Sequence, residues 1–428
     1  MEKVDVVVVG AGLAGLSTAY FLAAEGFEVL VVERGDFPGS KNTSGGRLYL
    51  NPVRSLFGDL WDEAPLERPV TKERLTVMSR EASTTVELAS SRLRQEPYHS
   101  YTVLRSRFDR WLADRVAERG AIVVPKYEVE DLRLENGRVA GVCAAGDQIG
   151  ADVVVAADGA LSFIAEKAGL RKRHDPANVA VAVKEVIELP AGVIEDRFNV
   201  APDQGAAQLL FGAFTEGITG GGFLYTNRES LSLGLVVNLK ALMEHDPPLA
   251  PHELLERFKA RPEIEVLAGG GELVEYSAHA IPEGGLAGMP KLFADGILVV
   301  GDAAGMALNL GLTVRGMDFA LASGAMAARA IIGAREKRDY SAAALAGYEK
   351  LLNESFVLKD LKTFRHVPHF LENPRLFDLY PQVACRLLEN LMWVGEEPKE
   401  KLSATTWREI RSLASLATLR DLWASRKV

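Results

Sequence analysis

Six consecutive residues near the N-terminus carry the clearest chemistry. Gly10, Ala11, Gly12, Leu13, Ala14 and Gly15 fit the pattern G-x-G-x-x-G. In such a turn the first glycine permits a tight bend. The second lets backbone approach a pyrophosphate, and the third lets a helix pack on a strand. The anion meets free N–H groups at the positive end of the helix dipole. Glu33 follows about where an acid reaches a ribose diol, roughly 20 residues on. A bound dinucleotide is expected, but this turn alone does not separate NAD from FAD. Gly301-Asp302-Ala303-Ala304-Gly305 narrows the choice, because it follows the apolar run 297–300 and precedes a turn from Asn309 to Gly316. Asp302 at a strand end is placed to accept hydrogen bonds from a polyol. FAD has one, the ribityl chain, and NAD does not. A helix starting after Gly316 would favour negative charge on a reduced isoalloxazine ring. Taken alone, Asp302 also reads as a helix-capping aspartate. FAD is the expected cofactor.

The elements that must hold these residues follow from hydrophobic pattern. Residues 6–24 are uncharged and long enough to tempt a membrane span. They split, however, into four valines and an Ala/Leu-rich run around three glycines, which is a buried strand turning into a helix. No basic run precedes the stretch and no cleavage site follows it, so a signal peptide is not expected. Residues 28–33 read as a second strand. Residues 105–120 read as a helix with Phe108, Leu112 and Val116 on one face. Glu135-Asn136-Gly137-Arg138 is a hairpin signal, and residues 153–157 form another buried run. Residues 70–90 alternate weakly, as antiparallel strands do. Residues 175–290 read as a separate β-rich layer with a helix at 252–259. Residues 296–335 repeat strand, turn and helix. The remainder is helical, interrupted by Pro368, Pro374, Pro381 and Pro398.

Composition removes several classes of function. The 428 residues carry a net charge of −9, which argues against a nucleic-acid partner. The two cysteines, Cys143 and Cys385, cannot supply the four thiolates of an iron–sulfur cluster. They fit a reducing compartment. No HExxH, Cys-x-x-Cys or Ser/His/Asp signature stands out, and no metal set is expected among the seven histidines. No catalytic side chain is therefore assigned: a flavin carries the redox chemistry, and protein supplies position and electrostatics.

Longer segments carry a resemblance. The turn at Gly10 with Glu33, Asp158-Gly159 after residues 153–157, and Gly301-Asp302 resemble the three fingerprints of the glutathione-reductase-type FAD fold, in its p-hydroxybenzoate-hydroxylase-like branch. Asp158-Gly159 also reads as an ordinary turn. Leu104-Arg105-Ser106-Arg107-Phe108-Asp109-Arg110-Trp111-Leu112 resembles that branch's R-x-x-F-D-x-x-L helix start, whose arginine, here Arg105, reaches FAD. Residues 39–49, 220–227, 275–279 and 373–377 look like the FixC family, flavoprotein relatives of electron-transfer-flavoprotein:quinone oxidoreductase that are related to geranylgeranyl reductases. The likeness runs along essentially the whole chain.

The resemblance implies an α/β architecture. A Rossmann-like FAD-binding domain would occupy residues 1–174, with inserted strands at about 60–100, and residues 291–340. A β-rich quinone or substrate layer would occupy 175–290, and a C-terminal helical region 341–428. Arg34, Lys41, Gly45, Gly46, Arg47 and Val129 join the expected FAD contacts, the loop 41–47 running beside the flavin. Tyr225 and His279 are candidates for a quinone site, each with a packed structural residue as its other reading.

The implied reaction passes electrons from a two-subunit electron-transfer flavoprotein to a membrane quinone, in a FixABCX-type complex that can bifurcate electrons. A separate small ferredoxin-like iron–sulfur protein would supply the cluster. The implied location is cytoplasmic and peripheral, on the inner face of the cell membrane. Three alternatives stay open: a prenyl-chain reductase, a flavin monooxygenase, and an FAD-retaining interaction subunit. Against the first, Asn309-Leu310-Gly311 stands where those reductases typically have Asn-Pro.

Overall fold

The computed structural model describes residues 3–42 and 45–428. Consecutive valines make Lys3–Val9 the centre of a sheet buried on both faces, as parallel sheets require. The strand order is Phe293–Ala294, Ile297–Val299, Asp147–Ala156, Lys3–Val9, Val29–Val32, Ile122–Val124. Every neighbouring pair from Ile297–Val299 onward is parallel. The hairpin Val129–Glu135 and Arg138–Ala144 extends the long strand Asp147–Ala156. Its two turn residues, Asn136 and Gly137, both have positive φ, at 51° and 82°, as a tight hairpin turn of this hand requires.

Two helices cross above this sheet. Leu13–Ala24 follows the glycine turn, and Met317–Lys337 returns from the far end of the chain. A Cβ on Gly324 would stand 2.3 Å from the Ala14 carbonyl oxygen, so the backbones meet at a glycine. Ser17 Oγ donates to the Leu321 carbonyl at 2.7 Å, and Thr18 Oγ1 to that of Gly324 at 3.2 Å. Met317–Lys337 is long and apolar enough to cross a membrane by length and composition, but 78% of its apolar window is buried inside the protein. It is a core helix here.

The second sheet has seven strands in the order Glu272–Pro282, Val179–Glu188, Ser230–Asn238, Gly220–Thr226, Gly205–Gly212, Val70–Met78, Ser83–Ala89. It is antiparallel except where Gly205–Gly212 meets Val70–Met78. Residues 70–89 thus join this layer, although the sequence reading treats them as an insertion in the first domain. Their pattern is weak because Ser83–Ala89 is an edge strand, largely exposed. One face of the sheet, including Val183, Leu210, Leu233 and Leu235, packs on Ala191–Phe198, Pro251–Lys259 and Pro262–Ala268. Alternation turns residues 182, 184, 223, 225, 234 and 279 to the other face, towards the glycine turns. The C-terminal helices Leu379–Met392, Leu402–Ser412 and Leu416–Ser425 lie outside both sheets, tied by Arg375 to Asp421 at 2.7 Å.

Candidate active site

The glycine turn is held by what its residues lack and by one acid. Gly10 has φ +106°, and a Cβ there would lie 2.4 Å from the Ala157 carbonyl oxygen. A Cβ on Gly15 would lie 2.1 Å from that of Gly10. Glu33 accepts hydrogen bonds from the Ala11 N–H at 2.9 Å and the Gly35 N–H at 2.6 Å. An ionised carboxylate has about four acceptor positions, so two stay free for ribose hydroxyls. Gly12 caps the first helix with no side chain, which leaves its N-terminal N–H groups available.

Two cavities adjoin this turn. The smaller, about 110 Å³, is lined by Gly10, Glu33, Arg34, Lys41, Val129 and Asp158. The larger, about 350 Å³, lies between the first helix and the inner face of the second sheet. Gly45, Gly46, Arg47, Arg105, Asp302 and Gly316 stand on its wall, with Leu13, Ala14 and Asn309 nearby. The two meet at Gly12, Asn42, Ala157, Gly159 and His279, which line both. Of the residues expected to bind cofactor, Ala11, Gly15 and Gly301 line neither. Ala11 serves Glu33 through its N–H, and Gly15 lets helix meet strand. A Cβ on Gly301 would lie 2.6 Å from that of Ala14, so Gly301 also acts in packing.

The charged residues are individually placed. Asp302 faces the larger cavity, and among the described residues its carboxylate accepts no hydrogen bond from protein. Burial raises its pKa, and Arg105 opposes the rise. Arg105 makes two 2.7 Å bonds to Asp109, which also accepts from Asn42 Nδ2 at 2.7 Å. Asp158 accepts from Ser162 Oγ at 2.7 Å and from the Ile164 N–H at 3.0 Å. It therefore closes the turn into Phe163–Lys167 and lines the small cavity as well. Arg47 pairs with Glu73 and lies 4.4 Å over the Tyr49 ring. Asn309 Oδ1 accepts from the Gly311 N–H at 2.9 Å, and Gly316 starts Met317–Lys337 with no capping side chain. The segment 39–49 includes residues 43 and 44, which lie outside the described residues.

Tyr225 and His279 line the same larger cavity at separate places. Tyr225 lies on the floor of the larger cavity, its ring stacked 5.1 Å from Phe223, and burial pushes its phenol upward. His279 is three strands away, roughly 14 Å across the sheet. It sits at the waist between the cavities. Burial, then Arg105, Arg34 and Lys184, push its pKa down to about 4.

Sequence reasoning missed Lys184, Asn42 and Glu283. Lys184 is 1% exposed and donates to the Gly45 carbonyl at 3.0 Å. Its signal is the pair Lys184-Glu185 inside an otherwise apolar strand. Alternation sends Glu185 to the opposite face, where Lys259 meets it at 2.9 Å. Glu283 is on the large cavity's wall, its carboxyl raised by burial and held back by Asn309 and Asn238.

These features fit FAD: a glycine cradle, an uncapped helix start, an acid with free acceptor positions, and an unpartnered buried aspartate. The adenosine half matches the small cavity and the flavin half the large one. The comparisons agree. Residues 3–194 match a family model for an FAD binding domain, residues 180–281 one described as ETF-QO, ubiquinone-binding, and residues 367–427 the ETF-QO/FixC family C-terminal domain. Protein FixC of Escherichia coli (strain K12) is 44% identical over 417 residues, 97% of each chain. The chain belongs to the ETF-QO/FixC family. Within that family, a probable electron transfer flavoprotein-quinone oxidoreductase of the same strain is 42% identical over 98% of this chain and 97% of its own. The chain is an FAD-dependent electron-transfer oxidoreductase, and FAD is its cofactor. A geranylgeranyl bacteriochlorophyll reductase-like protein from Thermoplasma acidophilum shares the fold, with a TM-score of 0.72 at 22% identity over 96% of this chain and 99% of that one. So does PqsL of Pseudomonas aeruginosa, with a TM-score of 0.60 at 18% identity over 88% and 98%.

Proposed function

We propose that the chain takes electrons from a two-subunit electron-transfer flavoprotein and passes them to a membrane quinone. It would be the quinone-reducing subunit of a FixABCX-type complex, alongside a separate ferredoxin-like iron–sulfur protein, with electron bifurcation in the partner flavoprotein. The observation that carries the reading is the larger cavity. One wall holds the residues suited to FAD, and its floor is the inner face of a sheet, apolar at Leu209, Phe211 and Phe223, within the segment that matches the ubiquinone-binding model.

FAD supplies the electron chemistry when bound. The protein's own groups do the rest. The uncapped starts of Leu13–Ala24 and Met317–Lys337 favour anionic groups facing them. Asp302 is available to hold ribityl hydroxyls, and Glu33 the ribose. Leu209, Phe211 and Phe223 offer a quinone ring an apolar, water-poor seat. Glu283, which burial holds towards its neutral form, is placed on the same wall to donate a proton.

The proposed place is peripheral, on the cytoplasmic face of the membrane; the exposed Trp407, Leu416, Leu419, Leu422 and Trp423 of the C-terminal helices support contact with a membrane surface. Anaerobic stopped-flow mixing tests the reading. The FAD-loaded chain should be reduced by its flavoprotein partner and reoxidised by a short-chain ubiquinone, and should react slowly with NADH alone. Rapid, saturable bleaching by NADH without any partner would overturn it and favour a monooxygenase.

A further inference from the structure

Lys184 is the group that the reading above leaves without a task. It lies in the middle of Val179–Glu188, on the face turned to the larger cavity. Its ammonium would have three donors, and one is used, on the Gly45 carbonyl. The fold makes room for it on purpose of shape. A Cβ on Gly234, its partner across the sheet, would lie 2.5 Å from the Lys184 Cβ and 2.6 Å from Phe223 Cζ. Gly45, with φ +78°, presents its carbonyl where an added Cβ would strike Ser232 Oγ at 1.9 Å.

The charges around Lys184 come from three directions. Arg105 faces it from Arg105–Glu118, held there by Asp109 and near Asp302. His279 and Glu275 face it from Glu272–Pro282. Ser232 and Gly45 are the uncharged neighbours on Ser230–Asn238 and the loop before Gly46–Tyr49. Glu275, half-buried on an edge strand, is the one carboxylate in this set, and Arg105 opposes it. Burial first, and then Arg105, hold the Lys184 amine well below the usual lysine range.

We propose that Lys184 is a proton-coupled counter-charge for the flavin: neutral beside the oxidised ring, it takes a proton from solvent when the ring is reduced. Two electrons and one proton go to the ring, which keeps one negative charge. A second proton goes to the Lys184 nitrogen. No bond to carbon forms and nothing leaves. A unit charge arriving within a few ångströms changes the proton affinity of a buried group by roughly 10- to 1000-fold. That is enough to recharge an amine held near neutrality by burial. Lys184 is thus a positioning and tuning residue for the ring. The inference rests on FAD in the large cavity and not on quinone or on any protein partner.

The test is spectroelectrochemical titration of the FAD-loaded chain at an electrode, across roughly pH 7–9.5, which involves neither flavoprotein nor quinone. The slope of midpoint potential against pH counts protons taken up per two electrons. Wild type should take two over part of this range. Lys184→Met should take one, with a lower potential at the acid end. Lys184→Arg, a fixed cation, should also take one, with a potential above wild type at the alkaline end. FAD content and visible spectrum are read on the same samples. A one-proton slope for wild type throughout the range overturns the proposal, and that reading needs no variant. A two-proton slope in FAD-bound Lys184→Met overturns it equally. If the methionine variant loses FAD, the wild-type and arginine curves still decide.

Discussion

His279 shows how a side chain's address changes its chemistry. Held at about 4 in the fold against about 6.5 when free, it is neutral where an exposed histidine would charge. Between those values the unfolded chain binds a proton that the folded chain refuses. Stability is therefore full above about pH 6.5 and falls as pH drops towards 4, by about 3 kcal/mol in all. His279→Gln should flatten that part of the slope. Urea unfolding of FAD-free protein from pH 7 to 4 measures it, and superimposable wild-type and variant slopes would show that the histidine is not refused its proton. The residue was visible in the sequence as a histidine between two alanines, but its basic neighbours were not. Arg34, Arg105 and Lys184 come from three separate segments, and only the fold brings them to the waist. The glycines were legible for the opposite reason. Gly10 and Gly15 answer to neighbours in their own turn and to Ala157 at the end of the adjoining strand, a contact that every such strand–turn–helix unit makes.

At the scale of elements, the crossing of Leu13–Ala24 and Met317–Lys337 is the contact that joins the two ends of the chain over the cofactor turn. It depends on Gly324. Gly324→Ala would drive a methyl group into the Ala14 carbonyl at 2.3 Å, and a backbone oxygen cannot rotate away. The variant should lose roughly 1–3 kcal/mol, seen as a lower melting temperature and weaker FAD retention, because Ala14 belongs to the turn itself. Gly333→Ala in the same helix meets nothing within 4 Å and should gain roughly 0.5–1 kcal/mol. Equal effects at both positions would mean that helix propensity, not the crossing, decides. The sequence showed both helices by their apolar runs, and the strands before them by their valines. It did not show that Val70–Met78 belongs with the second sheet. That pairing is parallel to Gly205–Gly212 across more than a hundred residues, and alternation carries no information about so distant a partner.

At the scale of the whole molecule, charge is uneven. The chain has a net charge of −9, yet residues 401–428 hold six lysines and arginines against two acids. The same residues expose Trp407 and Trp423 with four leucines, Leu402, Leu416, Leu419 and Leu422. Basic charge beside exposed tryptophan and leucine on helices suits an anionic lipid surface. The FAD-loaded chain is expected to sediment with phosphatidylglycerol vesicles, and less so as salt rises. Replacing both tryptophans by alanine should weaken binding about tenfold or more while the flavin spectrum stays unchanged. Equal sedimentation of the two forms would remove the lipid reading of this face and leave it to a protein partner.

The way the two sheets share the chain sets an order on synthesis. The first sheet lacks Ile297–Val299 until most of the polypeptide has left the ribosome, and the second holds Val70–Met78 waiting for Gly205–Gly212. Neither layer can close until late in synthesis, the second after Glu272–Pro282 and the first after Ile297–Val299. Their apolar faces stay uncovered through much of translation, the condition under which unpaired strand edges recruit one another. A chain wound this way is expected to lean on chaperones as it emerges, and cutting it between layers should yield two insoluble pieces in place of two working domains.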